Sequence, residues 1–177
     1  CGLMQIKELG TLETPILLTN TFSVSECTSG LLTYMLEMHE EIGTSTGTVN
    51  PVVLECNDGY VNAIRKRVIT PEDAIEAIRS ASTEVVEGSV GAGRGMRCYG
   101  YKGGIGTASR IVTLGNASYT VGALLLTNFG SKRDLLIEGN TLANSSYYEA
   151  EQGSCIIILA TDIPLSCRQL TRCTKRI

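Results

Sequence analysis

One segment, residues 153–172, reads GSCIIILATDIPLSCRQLTR. Its central run CIIILA, residues 155–160, is wholly apolar and short, which predicts a fully buried β-strand. The dipeptide Gly153-Ser154 stands directly before that strand, where a polar and irregular segment gives way to it. A serine is therefore expected at the beginning of a buried strand, with a glycine in front of it.

This junction suits self-cleavage, because the Ser154 hydroxyl can attack the carbonyl of the preceding residue and Gly153 removes the steric obstacle. Breaking the bond between them would make Ser154 a new N-terminal residue. Its free α-amine, with an ordinary pKa of about 7.7–8.0, can then act as the base for its own hydroxyl. Such chemistry needs no histidine, and His39 is the single histidine of the chain. A Gly-Ser pair before a strand is also an ordinary turn, and the residues alone leave both interpretations open.

Further strands are predicted where β-branched and other apolar residues run between turn signals. They cover residues 15–19, 51–56 and 119–129, with a hairpin or an edge strand at 134–138. Residues 144–153 are predicted to be polar and irregular.

Helices are predicted where a capping pattern precedes apolar residues at helical spacing. Ser23 with Glu26 predicts a helix over residues 25–41, with His39 solvated near its end. Thr70 followed by Pro71 predicts a second helix to residue 81, and Ser166 with Gln169 predicts a third to residue 176. Helices and strands alternate without a linker, so residues 1–177 are expected to form one α/β domain.

A glycine-rich segment lies between residues 88 and 106. It has neither the G-x-x-x-x-G-K-[ST] pattern nor G-x-G-x-x-G ahead of a helix, so it does not predict a phosphate loop. Close approach of backbones and turns with positive φ explain the glycines better. They stand at positions 88, 91, 93, 95, 100, 103, 104 and 106.

Composition excludes several classes of function. Among 177 residues, 15 are basic and 18 acidic, so no basic footprint for nucleic acid is present. The basic tail, from Arg168 to Arg176, is expected to be a solvated helix face. The apolar runs are far shorter than the roughly 20 residues that span a bilayer, and residues 1–10 lack the apolar core of a signal peptide. We therefore expect neither a nucleic acid nor a membrane as a partner.

The seven cysteines include no close pair, and the count is odd, which argues against a disulfide framework. We expect them to be mostly small buried apolar residues, which favours a reducing, cytoplasmic setting. With one histidine and no C-x-x-C, a zinc site is not expected.

The segment 153–172 closely resembles the self-cleavage region of the L-aminopeptidase/D-esterase family, which includes the β-peptidyl aminopeptidases. Further blocks resemble that family in the same order along the chain. They are PILLTNTFSV (15–24), NDGYVN (57–62), EGSVGAGRGM (87–96), KGGIGTASR (102–110) and YTVGALLLTNFG (119–130).

The resemblance implies an α/β/β/α sandwich, with two sheets between helix layers, similar to N-terminal-nucleophile hydrolases. It implies self-cleavage into residues 1–153 and 154–177, pieces that stay associated in a homotetramer, and no metal or cofactor. The activity implied is release of N-terminal residues from short peptides, amides or esters.

The resemblance also implies roles for single residues. Ser154 would be the nucleophile, with its freed amine as general base, and Gly153 would supply the carbonyl that is cut. Asn128 would donate its amide to the oxyanion and Tyr60 its hydroxyl, donors whose individual loss typically costs about 10²–10³ in rate. Otherwise Asn128 would cap a strand end and Tyr60 would be a half-buried ring. Asn20 and Thr21 are candidates for lining the pocket.

The chain departs from the family in length. It looks truncated at both ends, so we expect the sandwich to be incomplete. The later serine and acidic residue that bond the nucleophile and its amine have no match here. A non-catalytic truncated homologue, serving as a structural or subunit-interaction module, is therefore the alternative function.

Two other families each share one feature with this chain. Glutamine amidotransferases begin with Cys-Gly, as this chain does at Cys1, but their further glutamine-binding blocks are not found. Ornithine acetyltransferases also cleave themselves, but they use a threonine where this chain has Ser154. The block after the serine favours the peptidase side.

Overall fold

A computed structural model describes residues 2–141 and 153–177. The predicted irregular segment 144–153 lies outside the described residues except for Gly153. The helices are α1 (Gly2–Leu9), α2 (Val24–Met38), α3 (Pro71–Arg79) and α4 (Cys167–Thr174). The strands are β1 (Ile16–Asn20), β2 (Val52–Cys56), β3 (Arg97–Cys98), β4 (Tyr101–Lys102), β5 (Ile105–Leu114), β6 (Ala117–Asn128), β7 (Leu136–Ile137), β8 (Asn140–Thr141) and β9 (Ser154–Thr161).

Two sheets carry the architecture. β1 and β2 pair in parallel, from Ile16 opposite Val52 to Asn20 opposite Cys56. A parallel pair needs a crossover, and α2 lies within it. The second sheet is antiparallel in the order β5-β6-β9, and β9 pairs with β6 so that Ser154 lies opposite Asn128.

The two sheets face each other across the core. Its fully buried centre joins Cys56 of β2, Met96, Leu126 of β6 and Ile156 of β9. Helix α2 contacts both strands of the parallel pair and also α3. The described residues therefore form a helix layer, a two-stranded sheet and a three-stranded sheet, stacked in that order.

The strand predictions at residues 15–19, 51–56, 119–129 and 155–160 are confirmed to within two residues at each end. The prediction that residues 155–160 are fully buried was wrong, because one face of β9 is open and Cys155 and Ile157 on that face are exposed. The capping boxes at Thr70 and Ser166 are both present, each with the serine or threonine oxygen accepting the backbone N–H three residues on. The predicted hairpin or edge after residue 134 is the short β7–β8 pair.

The prediction of a capping box at Ser23 was wrong. A short 3₁₀ turn, Thr21–Ser23, runs straight into α2, so Ser23 is not in the extended conformation that a cap requires. Its hydroxyl is buried and makes no hydrogen bond with any residue in the described part of the chain. Helix α2 also ends at Met38, because His39 is extended, and His39 lies exposed beside Glu41.

In the glycine-rich segment 88–106, close backbone approach and positive φ are confirmed as the reasons for glycine. Gly88 has a φ of +84°, a conformation that favours glycine. A Cβ on Gly104 would lie 2.1 Å from the Gly88 carbonyl oxygen, so the two backbones meet too closely for a side chain.

The expectation that the cysteines are mostly buried was wrong. Of the six in the described residues, only Cys27 and Cys56 are buried, and all six are free thiols. Cys155 is exposed because neighbours along a strand point to opposite faces, and Ser154 and Ile156 take the inner face of β9. Cys167 and Cys173 lie on α4, every residue of which is exposed.

Candidate active site

Four strand ends meet at one end of the facing sheets. β1 ends at Asn20 and β2 at Cys56, which are partners in the parallel register. β6 ends at Asn128 and β9 begins at Ser154, which are partners in the antiparallel register. The predicted nucleophile and the predicted amide donor thus come from two strands that the sequence separates and the sheet brings together.

The amide of Asn128 is held at both of its polar atoms. Its Nδ2 donates to Ser154 Oγ at 3.2 Å and to the Asn57 carbonyl oxygen at 2.8 Å. Its Oδ1 accepts the Arg97 backbone N–H at 3.2 Å. Because Oδ1 receives a backbone donor, the NH₂ group must be the atom that faces Ser154.

Gly153 approaches the end of β6 more closely than a side chain would allow. A Cβ on Gly153 would lie 2.5 Å from Phe129 Cα and 2.8 Å from the Asn128 carbonyl oxygen. The glycine that precedes the serine is therefore required by contact as well as by the chemistry expected from the sequence.

A buried thiol near Ser154, that of Cys56 at the end of β2, was not selected by the sequence analysis. Cys56 has no exposed surface and belongs to the core cluster that includes Ile156, two residues along β9 from Ser154. Burial raises the pKa of the Cys56 thiol, and the nearby Ser154 hydroxyl only partly opposes this. Cys56 is therefore a protonated thiol at neutral pH. In the sequence, the one feature that could have drawn attention to Cys56 is its place at the end of a predicted strand, just before the turn Asn57-Asp58-Gly59.

Tyr60 lies at the exposed border of the site. Its side chain is 74% exposed rather than half-buried, and the Arg97 guanidinium stands 3.8 Å from the centre of its ring. This is the geometry of a cation–π contact. Arg97 thereby links Tyr60 to Asn128, since its backbone N–H bonds the Asn128 side chain.

Asn20 and Thr21 support the surrounding loops. Asn20 Nδ2 donates to the buried Asp58 carboxylate at 3.3 Å, and Asn62 donates to the same carboxylate oxygen at 2.8 Å. Thr21 donates to the Glu55 carboxylate on the surface. Asp58 therefore joins β1 to the loop that carries Tyr60, a role that sequence analysis missed.

Within residues 2–141 and 153–177, no three His, Cys, Asp or Glu side chains are grouped to hold a metal ion. Nor does that part of the chain contain a helix with the length and apolar character needed to cross a membrane.

The sequence profile of Peptidase family S58 matches residues 1–177. This chain belongs to peptidase family S58. The beta-peptidyl aminopeptidase BapA of Sphingosinicella microcystinivorans is 34% identical to it over 195 residues, covering 99% of this chain and 48% of the relative. The S58 chain thus spans about half the length of the curated relatives that it matches.

Solved structures agree with the S58 assignment. The PH0078 protein of Pyrococcus horikoshii OT3 superimposes with a TM-score of 0.91 and 52% identity, over 99% of this chain and 49% of that one. The l-aminopeptidase d-Ala-esterase/amidase of Ochrobactrum anthropi, described as a prototype for serine aminopeptidases with a new variant of the Ntn hydrolase fold, gives 0.86 and 33%, over 99% and 50%. The predicted family and fold class are confirmed, and S58 membership decides against the glutamine amidotransferase and acetyltransferase families.

Proposed function

We propose that this chain carries the self-processing serine site of an aminopeptidase, with Ser154 as nucleophile and the bond after Gly153 as the site of self-cleavage. The observation that carries the proposal is the 3.2 Å hydrogen bond from Asn128 Nδ2 to Ser154 Oγ, across paired strand ends. The amide that bonds the hydroxyl before reaction is close enough to bond an oxyanion that forms beside it.

Self-cleavage proceeds through an ester. Ser154 Oγ bonds to the Gly153 carbonyl carbon, the carbon–nitrogen bond to Ser154 breaks, and the hydroxyl proton passes to the released nitrogen. Water then hydrolyses the ester, which leaves Gly153 with a carboxylate and Ser154 with a free amine and a hydroxyl. No oxidant or metal enters this balance.

The same residues serve the external reaction. The freed α-amine of Ser154 takes the hydroxyl proton as general base, and the serine attacks the carbonyl of a short peptide, amide or ester. Asn128 donates to the developing oxyanion, and the Tyr60 hydroxyl is its second donor. The relatives' names, as β-peptidyl aminopeptidase and as l-aminopeptidase d-Ala-esterase/amidase, support these substrate classes.

We infer a homotetramer that works in the cytoplasm, without a cofactor. The six free thiols of the described residues support a reducing compartment. Sedimentation of the purified protein would test the assembly.

Intact mass spectrometry of the denatured protein tests the proposal. We expect two species, one ending at Gly153 and one starting at Ser154. Ser154→Ala should give a single uncleaved species without aminopeptidase activity, whereas Ser118→Ala, at an exposed position of β6, should be cleaved like the wild type. Cleavage of Ser154→Ala, or a wild type that stays whole, would overturn the proposal.

A non-catalytic interaction module is the second candidate. It is favoured by apolar side chains exposed on the three-stranded sheet, with Ile111 76% and Leu114 50% exposed. An intact wild-type chain without turnover that associates through this sheet would support the module and exclude the peptidase.

A further inference from the structure

The amide of Asn128 donates to Ser154 only while its NH₂ group faces the serine. The amide plane of an asparagine turns easily about the last side-chain bond, and a half turn would bring Oδ1 to the serine instead. Oδ1 accepts the Arg97 backbone N–H at 3.2 Å, and an NH₂ group in its place could not accept that hydrogen. The Arg97 N–H is therefore a contact that sets the direction of the amide.

The short segment that carries this N–H is held from both of its sides. Gly93, in the 3₁₀ turn before β3, accepts the Met96 backbone N–H at 3.3 Å. The Met96 carbonyl in turn accepts the Gly103 backbone N–H at 2.8 Å. Arg97 itself pairs with Lys102 in the hairpin of β3 and β4. The Arg97 N–H thus lies between the 3₁₀ turn and the strand that returns from the hairpin.

The side chain of Lys102 joins these two sides. Its Nζ donates to the carbonyl oxygens of Gly93 and Gly103, each at 2.7 Å. One of these carbonyls precedes the segment in the chain and the other follows the hairpin, so a single ammonium group spans both. Burial of this charged end lowers the pKa of Lys102 below its ordinary value of 10.5, and the two carbonyl oxygens replace water as its partners.

Gly103 transmits this hold to the strand that carries Asn128. A Cβ on Gly103 would lie 2.7 Å from the Thr127 carbonyl oxygen and 3.0 Å from the Arg97 carbonyl carbon. Thr127 directly precedes Asn128 on β6. The glycine bound by Lys102 therefore packs against both backbone segments between which the bond from Arg97 to Asn128 is made, and such close packing leaves little room for either to shift.

We propose that Lys102 is a positioning residue for the Asn128 amide. Its two bonds hold the segment that carries the Arg97 N–H, and this N–H keeps Nδ2 of Asn128 facing the serine. The inference rests on the proposed function of Ser154 and Asn128. It gives a role to a residue for which neither the family resemblance nor the comparisons assign one.

Lys132 is the matched control. Its Nζ lies 5.0 Å from the centre of the Tyr101 ring, and Tyr101 precedes Lys102 in β4. Both lysines are exposed residues whose cations lie against the same hairpin. Lys132→Met therefore removes a cation from this hairpin while the bonds to the two glycine carbonyls remain.

The test follows self-cleavage over time, by intact mass, in the full chain freshly made by cell-free synthesis. Lys102→Met keeps the apolar stem and loses both bonds. Because Lys102 is an exposed residue, water replaces part of what they provide, and cleavage should slow by roughly three- to tenfold. Lys132→Met should cleave at the wild-type rate.

A double-mutant cycle separates positioning from general support of the fold. In an Asn128→Ala background, followed over days, Lys102→Met should cause no further slowing, because the amide through which it acts is gone. Equal slowing by the two lysine variants, or undiminished slowing in the absence of the Asn128 amide, would overturn the inference.

A wild type that never cleaves would refute the proposed function, and hydrogen exchange then decides on Lys102 separately. In the Ser154→Ala chain, NMR measures exchange of the Arg97 backbone N–H. Adding Lys102→Met should speed this exchange by about tenfold, while the Leu31 N–H in the middle of α2 exchanges as before. Equal acceleration at both amides would indicate a general loss of stability and reject the inference. An unchanged rate at Arg97 would reject it as well.

Discussion

The inner and outer faces of the β5-β6-β9 sheet differ sharply, although the same three strands build both. On the inner face, the row Ile105, Leu126 and Ile156 packs against the parallel pair, and Leu126 has no exposed surface. On the outer face, the next row contains Ile157, which is 38% exposed. This face carries an open groove of about 510 Å³, lined in part by Cys98, Lys102 and Thr127.

This difference in burial explains which face of the sheet can hold reactive side chains in a fixed geometry. Ser154 and Asn128 belong to the inner face, where the hydrogen bond from Asn128 to the Asn57 carbonyl, just after β2, limits the motion of the amide. Cys155 is one residue further along β9 and falls on the outer face, exposed. A reactive side chain needs a fixed geometry, which the inner face provides and the outer face does not.

The largest expected difference between the two faces of the sheet is in the free energy of unfolding. Ile156→Ala empties part of the core and should lower the free energy of unfolding by about 2–5 kcal/mol. Ile157→Ala changes the adjacent residue on the outer face and should cost under about 1 kcal/mol. Urea unfolding measures both. Equal losses would show that the two faces are equally buried in solution.

The next effect is on the rate of self-cleavage. Asn128→Asp keeps the shape of the side chain but replaces the donor facing Ser154 by an acceptor. We expect the cleavage rate to fall by about 10²–10³, measured by intact mass over time. Asn116→Asp, in the exposed turn between β5 and β6, should cleave normally. Normal cleavage of Asn128→Asp would remove Asn128 from the proposed site.

A smaller effect is expected where the site reaches the surface. Arg97→Gln removes the guanidinium from the Tyr60 ring, a contact worth about 0.5–1 kcal/mol at exposed positions, so cleavage should slow about two- to fivefold. If Arg97 acts by placing the Tyr60 hydroxyl, this loss disappears in a Tyr60→Phe background. Lys132→Gln, at the other cation–π pair with Tyr101, is the control. An undiminished loss in Tyr60→Phe would contradict the role.

The sequence predicts best what depends on neighbouring residues. The boxes at Thr70 and Ser166 form because cap and partner lie within one helical turn. Ser23 has the same pattern and fails, since the preceding 3₁₀ turn sets its backbone first. The resemblance selected Ser154 and Asn128. The core cluster joins Cys56 of β2 to Ile156 of β9 across the two sheets, and no spacing in the sequence predicts this contact.

The smallest effect is expected at the edge of the sheet, where a polar tether holds strand β5. Glu87 accepts hydrogen bonds from the Thr107 backbone N–H at 2.6 Å and from the Thr107 hydroxyl, which ties the glycine segment to β5. These bonds hold the pKa of Glu87 below its ordinary value of 4.5. The stability they add is therefore fully present above that value and is lost as the pH falls through the lowered pKa. Glu87→Gln should be slightly less stable than the wild type at neutral pH, and the gap should close on acidification. Urea unfolding at a series of pH values measures it, with the exposed Glu84→Gln as control. A gap that stays constant with pH would show that Glu87 holds no such tether, and that the edge strand β5 depends on its backbone pairing alone.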